Sequence, residues 1–216
     1  MLFKNRQDAG KKLALILKEY KGKSVIVYAL PRGGVPVGYE VAKALGAPLD
    51  TVVVRKVGAP HNPEFGVGAV APGGVLILDN QTLQALGIER KDVEKTIAEE
   101  TEEMKRRIAR YRSGEYTKGI TADTVILVDD GLATGVTAFA ALESIKKSHQ
   151  PKRIIFASPI CAKDTAERLR EETEVICGSE TENLMAIGYW YEEFDQVSDE
   201  EVVKYLENAR NKGSKP

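Results

Sequence analysis

Cysteine and histidine are scarce in this sequence, and no long apolar run is present. Its 216 residues include two cysteines, Cys161 and Cys177, and two histidines. The cysteines have neither the C-x-x-C spacing of redox motifs nor the spacing of a zinc site. We therefore expect no zinc site built from protein ligands and predict that both thiols are reduced. No apolar run approaches the roughly 20 residues that a membrane-spanning helix needs.

The sequence also lacks an excess of charge of either sign. The net charge is −1 and the pI is about 6.2, which does not favour general attraction to nucleic acid or to a membrane surface. The stretch MLFKNRQDAGKKLALIL has neither a long apolar core nor a cleavage site, so no signal peptide is expected. Together these features predict a cytoplasmic protein.

What the sequence does contain is a regular alternation of strand-like and helix-like segments. Short apolar runs with β-branched residues, typical of buried parallel strands, cover 24–30, 49–54, 125–128, 153–159 and 174–177. Apolar residues recur at helical spacing between these runs. We therefore predict an α/β fold, with an open, mostly parallel five-stranded sheet flanked by helices.

Two regions interrupt this alternation. Residues 55–79 are rich in Gly and Pro, and a β-hairpin is predicted around Pro72-Gly73-Gly74. A long charged helix follows, whose charges are expected to face solvent; its apolar stripe consists of Val93, Ile97, Met104, Ile108 and Tyr111. The chain is interpreted as one domain, 1–216, with a core (about 24–177), a flexible loop and helical insertion (about 55–117) and a hood (about 1–20 and 179–216).

The stretch VILVDDGLATGVTA carries the strongest chemical signal. Asp129 and Asp130 follow a buried strand, at the edge where parallel sheets bind ligands. Residues 131–137, called the phosphate loop below, enter a helix, so N–H groups and the positive helix end converge on one point. Carboxylates repel a phosphate, so the aspartates are expected to face hydroxyls or a metal. This combination predicts a site for a ribose 5-phosphate.

These residues resemble the signature of type I phosphoribosyltransferases, which use 5-phosphoribosyl 1-pyrophosphate (PRPP). The resemblance implies that Asp129 and Asp130 hold the ribose hydroxyls and take part in catalysis. The implied ribose-phosphate site consists of Asp129, Asp130, Gly131, Ala133, Thr134, Gly135, Val136 and Thr137.

Two further stretches resemble parts of the same family. YALPRGGVPVG resembles the pyrophosphate-binding loop, here called the PRGG loop and formed by Pro31, Arg32, Gly33 and Gly34. A cis peptide bond is common in that loop, and we place it at Leu30–Pro31 because proline lowers its cost. VVVRKVGAPHNPEFGVGAV resembles the mobile active-site loop of the family. It implies that Arg55 and Lys56 act in catalysis and that 58–68 closes over the ligand.

The resemblance also implies the reaction partners. They are PRPP and a nitrogen acceptor, with Mg²⁺ as the cofactor, bound through PRPP and water without direct protein ligands. In 6-oxopurine enzymes the position of Ala133 carries an acid, so hypoxanthine and guanine are disfavoured here. Tyr189 and Trp190 are candidates for an acceptor-stacking face, with hood packing as the alternative.

Two other functions are considered beside an enzyme of this kind. A PRPP-sensing regulator without an acceptor keeps the same pocket, and it would be favoured by a basic surface stripe. A PRPP-forming kinase needs a second nucleotide-binding loop, which the sequence does not show. The acceptor and the oligomeric state, for which a homodimer is one alternative, stay open.

Overall fold

The structure is a computed structural model that describes residues 2–111 and 122–213. Its helices are α1 (Arg6–Ile16), α2 (Gly34–Leu45), α3 (Asn80–Ala85), α4 (Arg90–Tyr111), α5 (Val136–His149), α6 (Lys163–Arg170) and α7 (Asp199–Gly213), with short 3₁₀ helices at Leu17–Tyr20 and Ile187–Trp190. Its strands are β1 (Val25–Ala29), β2 (Leu49–Thr51), β3 (Arg55–Ala59), β4 (Asn62–Ala71), β5 (Val75–Leu78), β6 (Thr124–Val128), β7 (Arg153–Ser158), β8 (Cys161–Ala162), β9 (Glu174–Cys177) and β10 (Glu180–Thr181).

The predicted five-stranded parallel sheet is confirmed. Its strand order is β2-β1-β6-β7-β9, and every neighbouring pair is parallel. Along β1, Val25 and Val27 belong to a core shared with α1, α2 and α7. Ile26 and Tyr28 belong to a second core shared with α5 and α6. Because successive side chains of a strand point to opposite faces, a sheet covered on both faces requires a continuous apolar run.

A separate antiparallel sheet of β3, β4 and β5 follows β2. The hairpin predicted around 72–74 is confirmed, since Ala71 pairs with Val75 across that turn. Residues 58–68 were expected to form a loop, but most of them lie in the β3–β4 hairpin. Glycine and proline interrupt the apolar alternation that would have marked these strands in the sequence. Closure of this hairpin over a ligand stays a prediction.

The predicted helical insertion corresponds to α4. Val93, Met104 and Tyr111 of its apolar stripe are buried, and the other two stripe residues pack against the same core. Residues 112–117 of the predicted insertion lie outside the described residues, as do Met1 and 214–216 of the predicted hood.

Two parts of the predicted hood contact each other. The Phe3 N–H donates a hydrogen bond to the Trp190 carbonyl over 2.8 Å, and Phe3 forms a parallel bridge with Tyr191. Helix α7 packs instead on α2, with Val202 and Leu206 in the core. The N-terminal segment and 187–191 therefore form one unit above the sheet edge.

The prediction of two reduced thiols is wrong, because Cys161 and Cys177 form a disulfide. Cys161 lies on β8 and Cys177 ends β9, with their Cα atoms 6.1 Å apart. Helix α6 connects the two strands and brings the cysteines together, a proximity that sequence spacing does not reveal. Each helix within residues 2–111 and 122–213 is too short or too polar to cross a bilayer.

Candidate active site

The aspartate pair and the PRGG loop meet at the carboxyl edge of the central sheet. Asp129 and Asp130 follow β6, and β1 ends beside them, where the Leu30 N–H donates to the Val128 carbonyl over 2.9 Å. A Cβ atom placed on Gly33 would lie 2.0 Å from Asp130 Oδ2. The backbone of the PRGG loop therefore lies directly against the Asp130 carboxylate.

Burial shapes the electrostatics of the aspartate pair. The Asp130 N–H donates to Asp129 Oδ1 over 2.8 Å. Burial, followed by the charge of Asp130, raises the pKa of the Asp129 carboxyl well above its ordinary value. The Tyr191 hydroxyl donates to the Asp130 carbonyl over 2.6 Å, and burial also raises the pKa of this hydroxyl, so it stays a neutral donor. Such a pair favours a ligand that brings positive charge or hydroxyl donors.

The phosphate loop ends at the N-terminus of α5. Gly135 adopts φ +80°, a left-handed conformation that favours glycine, and the helix begins at Val136. The Thr165 hydroxyl donates to the Ala133 carbonyl over 2.6 Å, which anchors the loop to α6. N–H groups in the first turn of a helix have no intrahelical acceptor, so they are available to an anion. Phosphate binding by this loop stays a prediction.

The structure adds a residue that sequence reasoning missed. Arg6, in the first turn of α1, donates from Nε to Asp130 Oδ2 over 2.7 Å. Its Nη1 donates to the Asp195 carbonyl over 2.7 Å, and its guanidinium lies 3.8 Å from the centre of the Phe194 ring. Because 124 residues separate Arg6 from Asp130, no local pattern indicated this contact.

Arg32 of the PRGG loop faces the start of α7. Its Nη1 lies 3.9 Å from Asp199 Oδ1, which also accepts a 2.7 Å hydrogen bond from the Tyr111 hydroxyl. The cis peptide bond is at Pro31–Arg32, so the prediction of a cis bond at Leu30–Pro31 is wrong. Proline lowers the cost of a cis form only for the bond that precedes it, and this preference pointed the sequence prediction to the wrong bond. The pyrophosphate-binding role of this loop stays a prediction.

Arg55 and Lys56 point to opposite faces of the β3–β4 hairpin. Arg55 Nε lies 2.6 Å from Glu100 Oε2, so its guanidinium is directed at α4. The stem of Lys56 packs over Gly66 on the other face, and its side chain is exposed. Alternation along a strand separates neighbouring side chains in this way. The catalytic role of both residues stays a prediction, and Arg55 needs to leave Glu100 to fulfil it.

The aromatic hood residues differ in their surroundings. The Tyr189 side chain is 76% exposed, whereas Trp190 is half-buried against the small cluster that contains Phe3 and Tyr191. Ile187 lies directly over Gly131, with its Cγ2 atom 2.6 Å from where a Cβ would be. The hood therefore reaches the start of the phosphate loop. The acceptor-stacking role of Tyr189 and Trp190 stays a prediction.

The chain matches a family model and a solved structure. Residues 2–193 match the family model described as the phosphoribosyl transferase domain. The crystal structure of TT1426 from Thermus thermophilus superposes with a TM-score of 0.73 at 38% identity, over 95% of this chain and 98% of that one.

Curated relatives come from Mycobacterium tuberculosis. Two proteins, named "Putative phosphoribosyl transferase MT0597" and "Putative phosphoribosyl transferase Rv0571c", are each 39% identical over 209 residues. The match covers 96% of this chain and 47% of each relative, so the chain spans about half the length of these proteins. Because the domain match spans most of the sequence, the chain belongs to the phosphoribosyl transferase domain family.

Proposed function

We propose that this chain transfers the phosphoribosyl group of PRPP to a nitrogen atom of a small acceptor, a nucleobase or a related compound. The acceptor nitrogen forms a bond with C1 of the ribose. The bond from C1 to the pyrophosphate oxygen breaks, and pyrophosphate leaves with the bonding electrons. An acceptor nitrogen that carries a hydrogen releases it as a proton. The meeting of the aspartate pair, the PRGG loop and the phosphate loop at one sheet edge supports this proposal.

The proposed roles follow from the chemistry of each group. Asp129 and Asp130 accept hydrogen bonds from the ribose hydroxyls and stabilise the positive charge that develops on the ribose ring as pyrophosphate departs. The phosphate loop binds the 5-phosphate through its N–H groups and the helix dipole. Arg32 and the glycine N–H groups bind the pyrophosphate, since a guanidinium pairs with two phosphate oxygens at once.

In this proposal Mg²⁺ is held chiefly by substrate and water. Among residues 2–111 and 122–213, no group of three or more His, Cys, Asp or Glu side chains is arranged to hold a metal. Mg²⁺ commonly keeps several waters and binds through substrate phosphates with few protein ligands. Asp129 and Asp130 are the nearby carboxylates that would face such an ion. When bound, it would neutralise charge on the leaving pyrophosphate.

The first test is thermal unfolding with Mg²⁺ and PRPP. At a ligand concentration 100 times the Kd, binding adds about 2.7 kcal/mol to the free energy of unfolding, which corresponds to roughly 5–10 °C in Tm. Ribose 5-phosphate with Mg²⁺ is the control and is expected to produce a smaller shift. An unchanged Tm at saturating PRPP would contradict the proposal. Binding without pyrophosphate release across a panel of bases and amines would support a regulator instead.

The second test concerns acceptor choice. Hypoxanthine and guanine are expected to give pyrophosphate release at least about 100-fold slower than the best acceptor of the panel, because the Ala133 methyl group accepts no proton and one acid–base group is worth about 10²–10⁴ in rate. The assay measures initial rates at fixed PRPP, with adenine and orotate as comparison bases. Efficient nucleotide formation from guanine would refute this selectivity.

A further inference from the structure

The Arg6–Asp130 contact occupies the carboxylate to which the proposed function assigns the ribose. Both side chains are 11% exposed, and Arg6 Nε approaches Asp130 Oδ2 to 2.7 Å. The same oxygen faces the PRGG loop, since it is the atom nearest to a Cβ placed on Gly33. Because Arg6 already contacts this oxygen, a ribose hydroxyl that binds Asp130 Oδ2 has to displace the guanidinium.

Arg6 is held by three different kinds of contact. Besides the ion pair with Asp130, it donates to the Asp195 carbonyl and stacks on the Phe194 ring. The carbonyl and the ring belong to the hood segment, so Arg6 joins the hood to the ribose-binding carboxylate. A lysine would keep the charge but would lose the planar stacking and the fixed fork of donors.

The structure also contains space into which Arg6 can withdraw. A cavity of about 210 Å³ lies beside it, lined by Asn5, Arg6, Gln7, Pro36, Glu193, Asp195, Gln196, Val197, Glu201 and Tyr205. Three of these residues are acidic, so the cavity complements a guanidinium in charge. Asn5 bonds to Glu193, and the Ser198 N–H donates to Glu201 Oε2 over 2.8 Å, so the Asp195 carboxylate is the candidate partner.

We propose that Arg6 is a latch on the PRPP site. In the free protein it occupies Asp130, and it moves toward the acidic cavity when the ribose hydroxyls of PRPP take its place. This inference rests on the proposed function. In this proposal PRPP binds only the open form, in which Arg6 has left Asp130. If Arg6 occupies Asp130 about nine-tenths of the time, the apparent affinity for PRPP is about tenfold weaker. Arg6 is thus a positioning residue that sets the affinity for PRPP and links substrate binding to the hood.

Two variants that keep a positive charge at position 6 test the latch. Arg6→Lys replaces the planar guanidinium and its several donors by a single ammonium group. Phe194→Leu leaves Arg6 intact but removes the aromatic ring on which it stacks. Titration calorimetry with PRPP at fixed, saturating Mg²⁺ is expected to give a Kd about three- to tenfold lower in each variant than in the wild type. Arg170→Lys, which makes the same exchange in an exposed ion pair with Glu180, is the matched control and is expected to leave the Kd unchanged.

A thermal double-mutant cycle measures the ion pair without PRPP. The Tm values of Arg6→Gln, Asp130→Asn and the double variant are expected to be non-additive, because the two side chains are in contact. If the Tm values are non-additive but the Kd for PRPP is unchanged or higher in both charge-keeping variants, the latch is wrong and the proposed function stands. Additive Tm values also overturn it. Absence of PRPP binding by the wild type and both variants overturns the proposed function, and the latch with it.

Discussion

Replacement of Asp129 or Asp130 by asparagine is expected to lower turnover about 10²–10³-fold, the usual size of one electrostatic element in catalysis. Asparagine keeps the size of the side chain but removes the charge that would stabilise a positively charged ribose. The rate of pyrophosphate release with the best acceptor of the panel measures the effect. Wild-type PRPP affinity and turnover in both variants would contradict the assignment of the ribose.

The two variants are expected to differ in stability. Asp129→Asn replaces a buried carboxyl that lies beside another carboxylate, where burial and the charge of Asp130 raise the pKa and disfavour the ionised form. Its Tm is therefore expected to equal or exceed that of the wild type. Asp130→Asn leaves the largely buried Arg6 without its partner and is expected to lower the Tm. Asp123→Asn, in an exposed ion pair with Lys152 just before β6, is the control.

Substitution of Gly33 by alanine is expected to weaken PRPP binding and to lower turnover about 100-fold. The added Cβ would lie 2.0 Å from Asp130 Oδ2 and 2.7 Å from its Cγ, so either the PRGG loop or the carboxylate has to move. A displacement of about 1 Å in a catalytic geometry costs roughly 10²-fold. Calorimetric titration with Mg²⁺ and PRPP measures the affinity, and the rate of pyrophosphate release measures the turnover.

The control for this variant is Gly22→Ala. Gly22 precedes β1, at the opposite end of that strand from the site, and has φ +74° with no atom within 4 Å of a Cβ placed on it. Alanine there is expected to cost about 1 kcal/mol of stability, because of the left-handed backbone, without altering PRPP affinity. Gly33→Ala with wild-type affinity would show that the carboxylate and the loop adjust freely, and the proposed tight juxtaposition would be wrong.

The sequence by itself determined the fold class and the positions of the two main motifs. Some signals are local and can be read along the chain. Examples are the continuous apolar run at 24–30, typical of a strand buried on both faces, and the apolar residues at helical spacing after Gly135. Parallel strands place their carboxyl ends at one edge, where Asp129 and Asp130 were expected, and the family resemblance assigned the PRGG loop to the same ligand. The sequence did not predict the strands of the β3–β4 hairpin, because glycine and proline interrupt their apolar alternation.

Only the tertiary structure decided which partners these residues contact. The pairing of Arg6 with Asp130 spans 124 residues, and that of Arg55 with Glu100 spans 45. The Cys161–Cys177 disulfide likewise joins two separate segments of the chain. Side-chain contacts of this kind arise from the docking of distant elements and leave no periodic signal. The sequence therefore located the candidate site, whereas the fold determined that an arginine of the hood lies on its central carboxylate.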